Sequence, residues 1–191
     1  MLILLRHGRT TANARGLLQG RVDNPLDELG VRQAAAAAAL IGPVDRVIAS
    51  PLIRAQKTAA AFGLPVETDD RWQEIAYGDW EEKPVVDVPA ATWAEWRTNL
   101  DFRPPGGETL RELGARVRAS LNEHAAAAED ANVVIVSHVS PMKAATAWAL
   151  DAADDVTWNM HLAQAAICRI RLGGGRRVLV SFNEQSHLAG L

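Results

Sequence analysis

The sequence has a single cysteine, Cys168, so no internal disulfide can form and nothing argues for an oxidising compartment. It has no excess of one charge. The formal balance is −3, with three lysines and no basic run, which offers no face to nucleic acid or anionic lipid. It has no long apolar stretch: the longest unbroken one, Ala34–Ile41, is far short of the roughly 20 residues a membrane span needs. Met1–Leu5 is apolar but too short, and without the basic lead, for a signal peptide. It also lacks an HExxH run or paired Cys/His spacing, so no metal is expected. The expected partner is therefore a small molecule rather than nucleic acid or membrane, and the expected compartment is the cytoplasm. No feature specifies an oligomeric state.

What remains is globular. Apolar residues make up 48% and charged ones 23%, over 191 residues, which predicts one domain, 1–191. The cationic residues are 17 arginines, and arginine differs from lysine in its planar fork, which grips phosphate or carboxylate at two points.

Strands and helices alternate. Met1–Leu5 reads as a buried strand, followed at once by Arg6-His7-Gly8. Val31–Ile41 reads as a helix ended by Gly42-Pro43, and Arg46–Ala49 as a second strand. Ser50-Pro51 looks like an N-cap and first helical position for a helix over Leu52–Phe62. Pro65–Glu67 is a third candidate strand. Asn132–Val136 is a β-branched run typical of a strand buried on both faces, followed by a second serine-proline helix start at Ser140-Pro141. Ala165–Leu172 and Arg176–Phe182 flank three glycines and read as a hairpin. Thr109 to Glu112 is a capping box opening a helix with Leu110, Leu113, Val117 and Leu121 on one stripe. The proline-rich stretch 81–107, with a short helix over Ala90–Leu100, reads as a small helical cap insertion. The expected fold is α/β: a three-layer sandwich, mostly parallel in its central sheet, with helices on both faces.

Three strands end in a basic residue where a helix begins. They deliver Arg6 with His7, then Arg54, then His138. In an open α/β sheet, sites form beyond the carboxyl ends of the strands, where helix N-termini favour anions. Two arginines and two histidines on one such edge describe a phosphate pocket. Glu74, read as an exposed carboxylate, follows the third candidate strand and is placed to reach the same edge.

The run Arg6–Asn13 (RHGRTTAN) resembles the Arg-His-Gly signature of the histidine phosphatase superfamily, in its phosphoglycerate mutase-like, phosphatase branch. Further blocks match in order: Gln19-Gly20; Ser50–Ala59; Glu74 with Tyr77–Glu81; Gly106-Gly107-Glu108; and Ser137-His138. The resemblance implies that His7 is a nucleophile forming a phosphohistidine. It implies that Arg6, Arg54 and His138 hold the phosphoryl oxygens, with Asn13 and Gln19 as further donors. It implies that Glu74 protonates the leaving alkoxide and then activates water. No cofactor or metal is implied. The expected activity is hydrolysis of a small phosphomonoester. A cofactor-dependent phosphoglycerate mutase is the alternative, and a non-catalytic phospho-ligand-binding protein the second. The stretch between Glu74 and Gly106 is shorter than in mutases resembling this family, which favours water as acceptor.

One position departs from the pattern: Glu82 stands where many such phosphatases have glycine. The remaining histidines carry no motif, and His124 is expected to be solvated on an alanine-rich helix. Cys168 reads as a small core residue. Trp93 and Trp96, three apart, share a helix face and either fill the core or meet a leaving group.

Overall fold

Hydrophobic residues on both sides of each central strand organise the molecule around one sheet. The computed structural model describes residues Met1–Leu191. Its strands are β1 (Leu2–Arg6), β2 (Arg46–Ala49), β3 (Val66–Thr68), β4 (Val133–Ser137), β5 (Ile167–Gly173) and β6 (Arg176–Glu184). Across the sheet they run β3-β2-β4-β1-β5-β6. The first four are mutually parallel, β5 is antiparallel to β1, and β6 returns antiparallel to β5 as the expected hairpin. The helices are α1 (Thr11–Ala14), α2 (Glu28–Ile41), α3 (Ile53–Ala59), α4 (Ala90–Thr98), α5 (Leu110–Asp130) and α6 (Val139–Ala149). None is long and apolar enough to cross a membrane.

Period-two alternation separates two cores. Ile3, Leu5, Val47, Ala49, Val134 and Val136 face one side and pack with Ala37 of α2 and Ala55 and Ala59 of α3. Leu2, Leu4, Ile48, Val133 and Ile135 face the other and pack with α5 and α6. The helices on the first side meet the sheet through alanines, so the backbones lie close. The second side takes the large residues Trp72, Trp96, Leu113 and Leu121.

Two helix starts differ from expectation. Ser50 does not cap α3, whose N-cap is Leu52, and Ser140 lies inside the first turn of α6, whose N-cap is His138. In both places the strand–helix turn is tight and the serine serves tertiary contacts instead. His124 is not solvated. It is 9% exposed, its Nε2 3.7 Å from Asp69, because residues 69–72 pack onto α5. There Trp72 donates to Ser120 Oγ at 2.8 Å, and Ser120 donates to Asp69 at 2.6 Å. Cys168 is fully buried, as expected, and burial pushes its thiol up to about 11.

The stretch 81–107 begins against the loop that follows α1. Glu82 N donates to Leu18 O, Leu18 N to Lys83 O, and Val85 N to Gly16 O. Glu82 adopts φ 65°, a left-handed conformation that glycine takes without steric cost, so the departure from the expected glycine leaves the turn intact but strained.

Candidate active site

Register brings the two histidines together. β1 and β4 are adjacent and parallel with Arg6 opposite Ser137, so the next residues in each chain, His7 and His138, are neighbours, their ring centroids 5.0 Å apart. β2 lies on the other side of β4, and Ser50 N donates to Val136 O. The carboxyl ends of three adjacent strands therefore converge, and α3 and α6 start there.

His7 is 2% exposed, and its Nδ1 lies 2.7 Å from Gly8 O. A carbonyl only accepts, so Nδ1 carries the proton and Nε2 keeps its lone pair. The Arg-His-Gly turn docks on the start of α2: a Cβ on Gly8 would collide with the Gly30 carbonyl, and one on Gly30 with the Arg9 carbonyl. Glycine is needed at both positions for the turn to lie this close. Gly8 N donates to Thr58 Oγ1 at 3.1 Å, and Thr58 donates to Arg54 O, tying the turn to α3.

Arg54 is 1% exposed and spends three of its five N–H groups on the protein. Nη1 donates to Val22 O and Nη2 to Gly20 O, each at 2.7 Å, and Nε donates to His138 Nδ1 at 3.2 Å. One N–H on each terminal nitrogen is left over. Arg6 donates from Nη1 to Leu162 O at 2.6 Å, while its buried Nε has no protein partner. Burial pushes the Arg54 guanidinium down to about 10, with Glu74 opposing, which leaves it charged near neutral pH. His7 is held well below 6.5, first by burial, then by the positive charges of Arg54 and Arg6.

His138 is fully buried behind the pocket, with both ring nitrogens engaged. Nδ1 accepts from Arg54, so Nε2 carries the proton and donates to Ser50 Oγ at 2.8 Å. Burial, then Arg54 and His7, hold it well below 6.5.

Glu74 is buried, 6% exposed, rather than exposed as read from sequence. Residues 70–77 fold in over the sheet edge, and Arg116 of α5 reaches the Arg71 and Glu74 carbonyls from behind. Its Oε1 accepts from Ile75 N at 2.8 Å and Ser140 N at 3.2 Å, leaving Oε2 without a protein donor. Glu81 and Glu108 are the next carboxylates, and both are committed. Glu81 Oε1 accepts from Arg21 N and Tyr77 N, and Glu108 takes Arg116 through two bonds of 2.7 and 2.9 Å.

Arg6, His7, Asn13, Gln19, Arg54 and Glu74 line one cavity of about 230 Å³. Asn13 Oδ1 caps α1 by accepting from Thr10 N, and Gln19 Oε1 accepts from Thr10 Oγ1 at 2.9 Å. Both amides are thus fixed by their oxygens, with the NH₂ groups, the donor ends, free of that contact. Sequence reasoning missed Ser50, Thr58, Tyr77, Glu81, Glu108, Arg116 and Ser140 as supports of the site. Ser50, Thr58, Tyr77, Glu81 and Glu108 were signalled only by their place inside the matching blocks; Arg116 and Ser140 lie outside the blocks and carried no signal. A cavity of this size lined by two arginines, two amides, a neutral imidazole with a free nitrogen and one carboxylate suits a phosphoryl group and one proton transfer.

A family model described as histidine phosphatase superfamily (branch 1) matches residues 2–185. A bifunctional protein of Mycobacterium tuberculosis is 35% identical over 176 residues, 87% of this chain and 48% of that one. The chain thus spans about half the length of the first curated relatives it matches. Glucosyl-3-phosphoglycerate phosphatase of the same organism is 37% identical over 155 residues, 72% of this chain and 69% of that one. The solved structure of a phosphoserine phosphatase mutant from Entamoeba histolytica, in complex with phosphoserine, superposes with a TM-score of 0.88 at 28% identity, covering 98% of each chain.

Proposed function

The chain belongs to the histidine phosphatase superfamily, and from that premise we propose that it hydrolyses a small phosphomonoester through a phosphohistidine on His7. The observation that carries this reading is the His7 ring: Nδ1 is held as a donor by Gly8 O, and Nε2 lies on the wall of an arginine-lined cavity.

In the first step the Nε2 lone pair attacks phosphorus, the P–O bond breaks, and Glu74 gives its proton to the leaving alkoxide. In the second, Glu74 takes a proton from water as its oxygen attacks phosphorus and the N–P bond breaks, which returns neutral His7 and releases phosphate. Arg6 Nε and the two spare N–H groups of Arg54 hold the equatorial oxygens, where charge is spread in a loose transition state. Asn13 and Gln19 add neutral donors. His138 acts from behind. Neutral, it accepts from Arg54 Nε and so orients the fork.

Glucosyl-3-phosphoglycerate and phosphoserine, named for the relatives above, support a phosphorylated metabolite as the substrate class. Residues 81–107 serve as a cap within a single domain. The cap brings only Val85, Trp93 and Trp96 to the cavity walls, no cation, which favours water over a bisphosphate and hence hydrolysis over mutase transfer.

The test is a rapid quench into alkali with labelled substrate, with His7→Ala and Glu74→Gln as variants. The wild type should yield an acid-labile, alkali-stable phosphoenzyme. His7→Ala should yield none and lose turnover. Glu74→Gln should slow alkyl phosphates far more than p-nitrophenyl phosphate, whose leaving group needs little protonation. Sustained turnover by His7→Ala would end the covalent reading.

A further inference from the structure

Beside the phosphate cavity lies a second one, also about 230 Å³, which shares Leu18, Tyr77, Val85 and Val139 with it. Its remaining walls include three tryptophans. Trp93 and Trp96 stack with centroids 5.6 Å apart and planes 4° apart, and Trp158 meets both edge-on. The indole N–H groups of Trp96 and Trp158 are sealed from solvent and make no hydrogen bond within the protein. A dry apolar cavity of about 150 Å³ already accepts benzene, so this one has room for a six-membered ring.

One cation interrupts the apolar lining. Lys143, on the first turns of α6, is half-buried and makes no ion pair or hydrogen bond, unlike most of the arginines. Charge accounting gives it a task. Arg6, Arg54 and Lys143 bring three positive charges to the joined cavities, and Glu74 is the one carboxylate lining them. When Glu74 holds the proton it must deliver, a phosphate dianion balances two of the three, and one cation is left facing the leaving group in a low-dielectric wall.

Resting on the phosphatase reading above, we propose that the leaving alcohol carries a flat or apolar body, held between Leu18, Trp93 and Trp158, and a carboxylate held by Lys143. Lys143 and the tryptophans are then specificity-determining residues. The preferred substrate is bulkier than a three-carbon phosphate.

Three esters with similar alcohol leaving groups read this out: ethyl, benzyl and 3-carboxybenzyl phosphate. In the wild type, kcat/KM should rise along that series, with the carboxylate adding about tenfold, the size of one charge-assisted contact. Lys143→Met should collapse the carboxybenzyl-to-benzyl ratio toward one, and Trp93→Ala should collapse the benzyl-to-ethyl ratio. If Lys143→Met lowers all three esters equally with the ratios kept, the lysine serves Glu74 and not the substrate, and the proposal is wrong. Affinities of benzylphosphonate and 3-carboxybenzylphosphonate for the wild type, by calorimetry, separate this from the premise. If no ester turns over, the phosphatase reading fails. A carboxylate preference among the phosphonates, about tenfold and lost in Lys143→Gln, would still establish the subsite, and equal affinities would refute it.

Discussion

Acid should unfold this protein earlier than its carboxylates alone dictate, because two neutral histidines are locked into the site. His7 and His138 are both held well below 6.5 in the folded chain, mainly by burial and then by Arg54. In the unfolded chain each returns to about 6.5. Below that pH the unfolded state binds protons that the native state refuses, so stability is undiminished above 6.5 and falls as the pH drops toward the folded values. Each such histidine costs about 1.4 kcal/mol per pH unit across that window, so the pair gives a slope of about 2.7 kcal/mol per unit once both unfolded rings are protonated. His187 is also lowered, by burial, but it is partly exposed and adds a smaller part of the same sign. The measurement is urea unfolding from about pH 7.5 down to about pH 5.5, above the range where ordinary carboxylates titrate. Replacing either ring, as in His138→Gln or His7→Asn, should cut the slope by about half. Equal stability at the two ends, or a variant slope matching the wild type, would refute the buried-neutral assignment. The same lowering of His7 places the acid limb of kcat/KM below 6.5, since the proposed nucleophile stays neutral there.

Arg54→Lys should lower kcat/KM for p-nitrophenyl phosphate at least about 100-fold. An ammonium cannot keep Gly20 O, Val22 O and His138 satisfied and still present two donors, and two lost charge-assisted bonds are worth about 3 kcal/mol or more. A variant within threefold of the wild type would contradict that donor count. Glu82→Gly should stabilise the chain by about 0.5–1 kcal/mol, because glycine removes the left-handed strain at φ 65° and gives back part of the gain as unfolded-state entropy. Calorimetry would show a rise in Tm of about 2 °C, and a lower Tm would mean that the Glu82 side chain matters more than its backbone.

The strand at 132–136 was legible because a strand buried on both faces needs an uninterrupted apolar run, and its alternating residues do divide between the two cores. The hairpin and the Thr109 capping box were legible for similar reasons, since turn and cap chemistry act within a few residues. Arg6, His7, Arg54 and His138 stood out because each follows a strand at a helix start, a local feature that topology turns into a common edge. The serine-proline pairs misled: the hydroxyl that local rules assign to a cap is claimed at Ser50 by His138, a partner 88 residues away. Glu74 and His124 misled in the same way. Each is covered by chain that arrives from elsewhere: Glu74 by the start of α6, whose Ser140 N–H it accepts, and His124 by residues 69–72. The sequence by itself therefore determined which residues could form strands, helices and an anion site, because those depend on period, turns and side-chain type. Only the tertiary structure decided the tautomers of His7 and His138, the two spare N–H groups of Arg54 and the apolar wall beside Lys143. These depend on partners and burial, which sequence distance does not encode.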